Sequence, residues 1–352
     1  MEKFRELGDA IQTLAAGNDL SVEASRACAD ALFAGQFHEV QFGCLMMGLR
    51  RKGETASEIL GLLSSYLDQA VIQVDEGFGE GLVDVCGTGG DGPSADVFNI
   101  STTAMIVAAA GGARIAKHGT SAVSSQSGST EVQQALGLKI PKTKDEVLLA
   151  LAKHGLCYVH GPFFNRAMAN VIEARRRSGM RSVFNLLGPL SNPLRPSLQL
   201  LGVYNTAVLT PVAEVLLSLG RKRALVVSAR DGLDELSVVV PTDIREVRAG
   251  KIVSYSIDPV DFFGRRASYE ELRGGDPRFN ARKAEEILGG MCVDGGRDVV
   301  ALNAGAALYL SGLGDSLRDG VSLAIETIKD GRARAKLESL RSNAHTEGSA
   351  NG

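Results

Sequence analysis

Apolar residues in the first 73 positions recur three and four residues apart, which is the spacing of amphipathic helices. This spacing predicts four helices: Leu7–Ala15, Val22–Phe33, Gln41–Arg50 and one that ends at Leu67. Ser21 can cap the second helix, and Thr55 with Glu58 forms a capping-box pattern before the fourth. We therefore expect residues 1–73 to form a small all-helical N-terminal domain.

The pattern changes after residues 74–81, an acidic and glycine-rich segment that we interpret as a hinge. Five short apolar runs then resemble buried strands: Leu82–Val85, Ala113–Ala116, Cys157–Val159, Leu198–Val203 and Ala224–Ser228. Helical stretches of about 10 residues separate most of them, and this alternation predicts a larger α/β domain over residues 82–336 with a mainly parallel central sheet. The polar end, residues 337–352, is expected to be a disordered tail.

A glycine-rich loop, Asp84–Gly92, continues directly from the first predicted strand, and a helix of small residues opens soon after it at Asn99. Glycines let backbone N–H groups approach an anion, and a helix N-terminus adds partial positive charge. The spacing matches neither the dinucleotide-binding nor the P-loop motif. On these residues alone, a phosphate cradle and a tight turn with a serine cap both remain possible.

A second loop, Lys117–Ser129, follows the next predicted strand and leads into a helix over Ser129–Leu136. Its hydroxyls, amides and lysine could form another oxyanion cradle, although such loops are often only exposed connections. Asp234 and Glu235 follow a later strand. Adjacent carboxylates at a strand end suit a hard cation such as Mg²⁺, although solvated acidic turns are common.

Arg175 is predicted to share one face of a helix with Met168, Val171 and Ile172. An arginine on an apolar face needs an anionic partner. That partner could be a substrate carboxylate or an internal acidic residue, and the sequence does not decide between them.

Composition narrows the class of protein. Of 352 residues, 44% are hydrophobic and 22% charged, which is typical of a soluble globular chain, and no apolar run approaches the roughly 20 residues that span a bilayer. The formal net charge of -3 offers no basic field to nucleic acid or membrane. The five cysteines form no metal or disulfide pattern. With no signal-peptide core at the N-terminus, we expect a cytoplasmic protein.

These segments, in this order, resemble the anthranilate phosphoribosyltransferases. The resemblance extends to Phe184–Pro193 (FNLLGPLSNP) and to blocks around Asp258, Leu272 and Ala301, and so covers roughly residues 5–335. It implies a helical domain, on which residues 167–190 pack, an α/β domain, a homodimer formed through the helical domain, and Mg²⁺. The implied reaction transfers ribosyl-5-phosphate from phosphoribosyl pyrophosphate (PRPP) to the amine of anthranilate, with release of pyrophosphate, in tryptophan biosynthesis.

The resemblance also implies the site residues. The donor would be bound by Gly87, Gly90, Asp91, Asn99, Ser101, Thr102, Lys117, Ser124, Ser125 and Ser129. The acceptor would be bound by Gly87, His118, Thr120 and Arg175. Mg²⁺ would be bound by Ser101, Asp234 and Glu235. No side chain is expected to act as a covalent catalyst, because metal and loop amides can stabilise the charged leaving group.

Several residues depart from the family pattern. Thr120 and Ser121 stand where Asn-Arg is usual, Gln126 replaces a lysine, and Asn165–Arg166 replaces His-Pro. The phosphate loop therefore has two cations fewer, and donor binding is expected to be weaker. Two alternatives stay open: a paralogous enzyme with another aromatic acceptor or ribosyl donor, and a non-catalytic relative that binds nucleic acid, which the acidic balance disfavours.

Overall fold

A computed structural model describes residues 5–89, 96–121 and 127–346 of the chain. It begins with four helices: α1 (Arg5–Ala15), α2 (Val22–Phe33), α3 (Glu39–Lys52) and α4 (Ala56–Asp68). Both predicted caps are present. The Ser21 hydroxyl accepts the N–H of Ala24 at 3.1 Å, and Thr55 and Glu58 satisfy each other's backbone N–H groups at 3.3 and 2.9 Å. The four predicted helices are confirmed.

A seven-stranded sheet forms the centre of the second unit. Its strands are β1 (Leu82–Gly87), β2 (Arg114–Gly119), β3 (Leu156–His160), β4 (Leu198–Gly202), β5 (Arg223–Ala229), β6 (Thr242–Arg248) and β7 (Lys251–Ile257). The spatial order is β3-β2-β1-β4-β5-β6-β7, and the first five strands in this order are parallel. The α/β class with a mainly parallel sheet is confirmed.

The hairpin of β6 and β7 was not predicted. Charged or hydroxyl residues interrupt the apolar residues of both strands, and β7 is largely exposed, so neither gives the continuous apolar run of a buried parallel strand. Ala249 and Gly250 both have positive φ and form the tight connection.

The remaining helices cover the sheet or pack on the first four. They are α5 (Ile100–Ala110), α6 (Ser129–Ala135), α7 (Lys144–His154), α8 (Gly161–Phe164), α9 (Ile172–Ser178), α10 (Phe184–Leu190), α11 (Leu209–Ser218), α12 (Val260–Phe263), α13 (Tyr269–Leu272), α14 (Pro277–Leu288), α15 (Gly295–Leu310), α16 (Leu317–Lys329) and α17 (Arg332–Thr346). Helices α5 and α15 are buried along nearly their whole length and form the core beneath one face of the sheet.

Helices α9 and α10 share a hydrophobic core with the first four helices. The Phe184 ring of α10 stacks on Phe42 of α3 at 5.8 Å between centroids and meets Phe33 of α2 edge-on at 6.1 Å. This aromatic cluster ties the segment that precedes β4 to the helical layer, because aromatic pairs in these arrangements add to the energy of burial alone.

The prediction of a disordered tail from residue 337 is wrong as far as Thr346. Helix α17 continues to that residue, with Leu337 buried and the Arg341 guanidinium donating to the Leu136 carbonyl at 2.7 Å. The polar composition of this segment does not predict a packed helix, because only the side of the helix that faces the protein needs apolar residues. In the described ranges, no helix is both long and apolar enough to cross a membrane.

Gly305 of α15 should be essential for close packing on α16. A Cβ at this position would lie 2.5 Å from the Val321 nitrogen, and rigid backbone cannot yield as a flexible side chain can. We expect Gly305→Ala to destabilise the protein by about 1–3 kcal/mol in urea unfolding. Gly8→Ala is the matched control, since a Cβ there meets nothing within 4 Å and should leave stability unchanged or raise it. Equal stability of the two variants would contradict this packing.

Candidate active site

Two adjacent carboxylates define the site at the carboxyl ends of the central strands. Asp234 and Glu235 lie in the turn after β5, and each is only 9% exposed. Asp234 Oδ2 accepts the N–H of Gly89 from the glycine-rich loop at 2.7 Å. A Cβ on Gly87 would overlap the Asp234 carboxylate, and one on Gly202 would overlap its backbone carbonyl. Glycine at both positions therefore allows the acidic turn to lie against β1 and β4.

The two carboxylates are held where negative charge is unfavourable. Burial raises the pKa of Asp234. Burial, and then the neighbouring charge of Asp234, raise the pKa of Glu235 to about 8. Two acids with raised pKa values in one cleft are frequent in functional sites, because a bound cation offsets the free-energy cost of burying their negative charges.

Lys117 of β2 lies inside this cleft. It is 2% exposed, and its Nζ donates to the Val85 carbonyl at 2.7 Å and to Ser101 Oγ at 3.2 Å. Ser101, in the first turn of α5, is in turn hydrogen-bonded to Glu235 through both its hydroxyl and its amide. The predicted donor and metal residues Lys117, Ser101 and Glu235 thus form one connected chain.

Asn99 joins the two predicted phosphate loops. Its Nδ2 donates to the Ser127 carbonyl at 3.3 Å, and its Oδ1 accepts from Ser127 Oγ at 3.2 Å and from Asn280 Nδ2 at 2.9 Å. The side chain is therefore occupied in positioning the loops. Thr102 is fully buried, and its hydroxyl has no partner in the described structure. Its role in donor binding stays a prediction.

His118 is a neutral donor on the inner side of the cleft. Its Nδ1 donates to the Gly188 carbonyl of α10 at 2.8 Å, which leaves the lone pair on Nε2. Burial, opposed by that bond and supported by the charges of Lys117 and His160, lowers the pKa of His118 to about 4. At neutral pH this side chain can only accept at Nε2.

Arg175 has no acidic partner among the described residues. Its guanidinium is half-buried, lies 5.4 Å above the centre of the Phe184 ring, and has one weak contact with Met168 Sδ at 3.8 Å. The internal salt bridge that the sequence left open is therefore not found there. Phe184 and Gly188 are one turn apart on α10, so Arg175 and His118 contact neighbouring turns of one helix, about 6 Å apart along its axis.

The helix expected around Arg175 is not continuous. Residues Ala167–Asn170 form a 3₁₀ turn and α9 begins at Ile172, so the helical phase shifts at Val171. Val171 is buried as predicted, but Ile172 is 57% exposed and does not share the face of Arg175. The prediction of one apolar face was wrong for Ile172.

The remaining predicted residues lie partly outside the described ranges. Gly90, Asp91, Ser124, Ser125 and Gln126 are not described. Thr120 is exposed, with its hydroxyl donating to the Ser121 carbonyl at 3.1 Å, and Ser129 is half-buried in the first turn of α6.

Asn165, which departs from the family pattern, is structural in this conformation. It is buried, and its Nδ2 donates to the Tyr66 carbonyl of α4 at 2.5 Å.

Arg181 is a cation of the cleft that no sequence pattern indicated. Its Nη1 donates to the Gly89 carbonyl at 2.5 Å, and its guanidinium lies 5.1 Å from the centre of the Tyr204 ring. Its charge also acts on the Asp234 carboxyl. The arginine lies 92 residues from the glycine loop in the chain, and only the packing of α10 on the sheet brings them together.

The donor set of the cleft fits a hard cation that shares its ligands with a substrate. Asp234, Glu235 and Ser101 offer oxygen atoms only, which Mg²⁺ prefers. In the part of the chain that the structure describes, no cluster of three or more histidine, cysteine or acidic side chains could hold a metal by itself. Further ligands would have to come from substrate oxygens or water.

Two family models match the chain, and together they define a class of enzyme with this two-part architecture. The helical bundle domain of a glycosyl transferase family matches residues 8–70, and the α/β domain of the same family matches residues 79–334.

Similar proteins of known name show to which members of this glycosyl transferase family the chain is related. The chain is 42% identical over 338 residues to an anthranilate phosphoribosyltransferase of Clostridium beijerinckii, covering 96% of this chain and 98% of the relative. It is 41% identical over 334 residues to that of Haloferax volcanii, covering 95% and 99%. This chain therefore belongs to the anthranilate phosphoribosyltransferase family.

Solved structures agree on the fold. The anthranilate phosphoribosyltransferase of Thermus thermophilus superposes with a TM-score of 0.85 at 36% identity, covering 96% of this chain and 100% of that one. The Saccharomyces cerevisiae enzyme in complex with PRPP and Mg has a TM-score of 0.83 at 24% identity, covering 96% and 97%.

The neutral state of His118 should make folding pH-dependent. Its pKa is about 4 in the folded protein, against an ordinary value of 6.5, so the group stabilises the fold fully above pH 6.5 and progressively less as pH falls towards 4. Between pH 7.5 and 4.5, the wild type should lose about 2–3 kcal/mol more unfolding free energy than His118→Gln, measured in urea. Equal losses would show that His118 is already charged or is exposed to solvent.

Proposed function

We propose that this chain transfers ribosyl-5-phosphate from PRPP to the amine of anthranilate, releasing pyrophosphate, as a step of tryptophan biosynthesis. The observation that carries the proposal is the convergence of Asp234, Glu235 and Lys117 with the glycine-rich loop at one edge of the sheet. A half-buried Arg175, without an acidic partner in the described ranges, lies one helical turn from the His118 contact. The first set of residues would bind the pyrophosphate of the donor, and Arg175 would bind the carboxylate of the acceptor.

The donor side is suited to a leaving group with high negative charge. As the bond between C1 and pyrophosphate breaks, charge moves onto the pyrophosphate oxygens and an oxocarbenium-like centre forms at C1. Lys117 and the N–H groups at the start of α5 can stabilise that charge without forming a covalent bond. The glycine-rich loop adds backbone donors at close approach.

Mg²⁺ fits this donor side. Asp234, Glu235 and Ser101 would hold it, and it would supply positive charge to the pyrophosphate as that group leaves. Lys117 would remain hydrogen-bonded to Ser101, so the metal and the lysine would act on the same anion from neighbouring positions.

The acceptor side is suited to a small aromatic acid. Arg175 would pair with the anthranilate carboxylate through its planar guanidinium. His118 Nε2, the unprotonated ring nitrogen, would accept a hydrogen bond from the amine and orient its lone pair towards C1. Thr120 would line the entrance at the end of β2.

A second copy of the chain is the proposed partner of α3. Val40, Cys44 and Met47 recur four and three residues apart and form an exposed apolar stripe on this helix, with Val40 65% and Met47 54% exposed. A two-fold dimer places the same stripe on both sides of the interface and buries it.

The loop departures belong to the donor proposal. Ser121 and Gln126 replace two cations of the family pattern, so donor binding would depend more on Lys117, Mg²⁺ and backbone amides. Arg181, which donates to the Gly89 carbonyl of the glycine-rich loop, is a further cation of the cleft.

Loss of anthranilate fluorescence in the presence of PRPP and Mg²⁺ tests the function. We expect loss in the complete mixture and none when PRPP or Mg²⁺ is left out. Activity with another aromatic amine or another ribosyl donor, and none with anthranilate and PRPP, would favour a paralogous enzyme.

The paired carboxylates should carry the metal dependence. Asp234→Asn with Glu235→Gln should lower Mg²⁺-dependent turnover on the order of 100-fold or more, because the charge that binds the cation is removed. Asp231→Asn is the matched control, since that acid of the same turn is hydrogen-bonded to Leu233 and Tyr269. An unchanged Mg²⁺ titration in the double variant would exclude both residues from the metal site.

Arg175 should act on the acceptor. Arg175→Ala should raise the anthranilate KM about tenfold or more, with a much smaller change in the PRPP KM, because one charge-assisted contact is lost. Arg176→Ala is the control, since that exposed side chain pairs with Glu173. An equal rise in both KM values would point to a structural role.

The α3 stripe should set the oligomeric state. Val40→Lys with Met47→Lys should convert a dimer to a monomer in light scattering coupled to gel filtration. Met291→Lys with Val293→Lys replaces the same residue types at another exposed place, 71% and 72% exposed, and should leave the dimer intact. A monomeric wild type, or a dimer that survives the first pair, would refute this interface.

A further inference from the structure

Strands β1 and β2 separate before they reach the site. Their register contains two pairs, Leu82↔Arg114 and Val83↔Ile115. On its other side β1 pairs with β4 over five residues, as far as Gly87, and β2 pairs with β3 over five residues, as far as Gly119. The sheet is therefore continuous on both sides of a gap that opens after Val83.

Two buried side chains fill this gap. Asp84 is completely buried, and its Oδ1 accepts the N–H of His118 at 2.9 Å. Its Oδ2 accepts from Asn192 Nδ2 at 3.0 Å. The same Asn192 nitrogen donates to the Ala116 carbonyl of β2 at 2.7 Å. Side chains thus replace the backbone ladder between the two strands.

Lys117 spans the gap beside them. Its Nζ donates to the Val85 carbonyl of β1, a residue that has no ladder partner on β2. The separation of the strands therefore determines where Lys117 lies among the donor-site residues. It also determines the position of His118, because the backbone N–H of His118 donates to Asp84.

We propose that Asp84 and Asn192 are positioning residues that hold the carboxyl end of β2 apart from β1 and so place Lys117 for the ribosyl donor. This inference rests on the proposed function for its kinetic consequence, but its structural consequence does not depend on it. Asp84 accepts two N–H donors, and Asn192 has both an acceptor bonded to the Leu194 N–H at 3.0 Å and a nitrogen that serves two acceptors. The pairing is directional.

Exchange of the two side chains tests this direction. Asp84→Asn turns one acceptor into a donor that faces an N–H group, and Asn192→Asp sets a carboxylate against Asp84 and the Ala116 carbonyl. Each single variant should raise the PRPP KM about tenfold, with little change in the anthranilate KM. In the exchanged pair, the new amide at position 84 can donate to the new carboxylate at position 192 and accept from the His118 N–H, so the contact of that carboxylate with the Ala116 carbonyl is the one unfavourable contact that remains. The PRPP KM of the double variant should return most of the way to the wild-type value.

Gln199→Glu is the matched control. Gln199 lies opposite Asp84 on β4, is fully buried and donates to the Pro189 carbonyl at 2.7 Å, but it makes no hydrogen bond to β2 in the described structure. The exchange of amide for acid there should lower stability and leave the ratio of the two KM values unchanged. A double variant no better than the worse single variant, or single variants that lose stability without a change in PRPP KM, would overturn the proposal.

A measurement without substrate separates this proposal from the proposed function. In nitrogen–proton spectra, the His118 amide should shift strongly upfield in Asp84→Asn, because its hydrogen bond to the carboxylate is lost, and should return part of the way in the exchanged pair, where the amide oxygen at position 84 accepts it. If Asp84→Asn does not fold, Asn192→Asp should move the same amide. If the chemical shift of the His118 amide does not change, the proposal is overturned even when the enzyme is active. If the shift changes but the protein lacks the proposed activity, only the proposed function is contradicted.

Discussion

The arrangement of the site depends on the repulsion between two neighbouring carboxylates buried in one turn. Asp234 and Glu235 are removed from water together, and burial raises the pKa of both groups. Such a pair is unfavourable unless positive charge or hydrogen-bond donors compensate it. The Gly89 N–H, the Ser101 hydroxyl and amide, and the Lys117 ammonium provide part of this compensation. A cation with its polyanionic substrate would provide the rest.

These hydrogen-bond donors reach the carboxylates because the backbone of the acidic turn lies close to the backbones of neighbouring strands. The acidic turn follows β5, but it touches β1 and β4, where only glycine leaves enough room for it. The parallel strands end at the same edge, so the loops after β1 and β2 converge there, and Asn99 holds them together through Ser127. The helical layer contributes from the other side, where α10 provides the Gly188 carbonyl for His118 and the Phe184 ring for Arg175.

The features that the sequence predicted well are those with local causes. Apolar spacing and capping residues determined the first four helices, and buried apolar runs located five of the seven strands. Adjacent carboxylates and a lysine at strand ends could be recognised because parallel strands are known to gather such residues. The partners of these residues could not be predicted: Arg181 reaches Gly89, and Gly202 accommodates Asp234, only through contacts between distant parts of the chain. Likewise, the 3₁₀ turn before α9 exposes Ile172, which no periodicity of the sequence indicates.

A crystal structure of the protein grown with PRPP and Mn²⁺, in which the metal is located by its anomalous scattering, would show whether the buried carboxylate pair binds the cation together with the donor. We expect a metal ion bound by the Asp234–Glu235 turn, with the pyrophosphate of PRPP lying between that ion and the Lys117 side of the cleft. A metal bound elsewhere, or PRPP bound away from Lys117 and the start of α5, would contradict it.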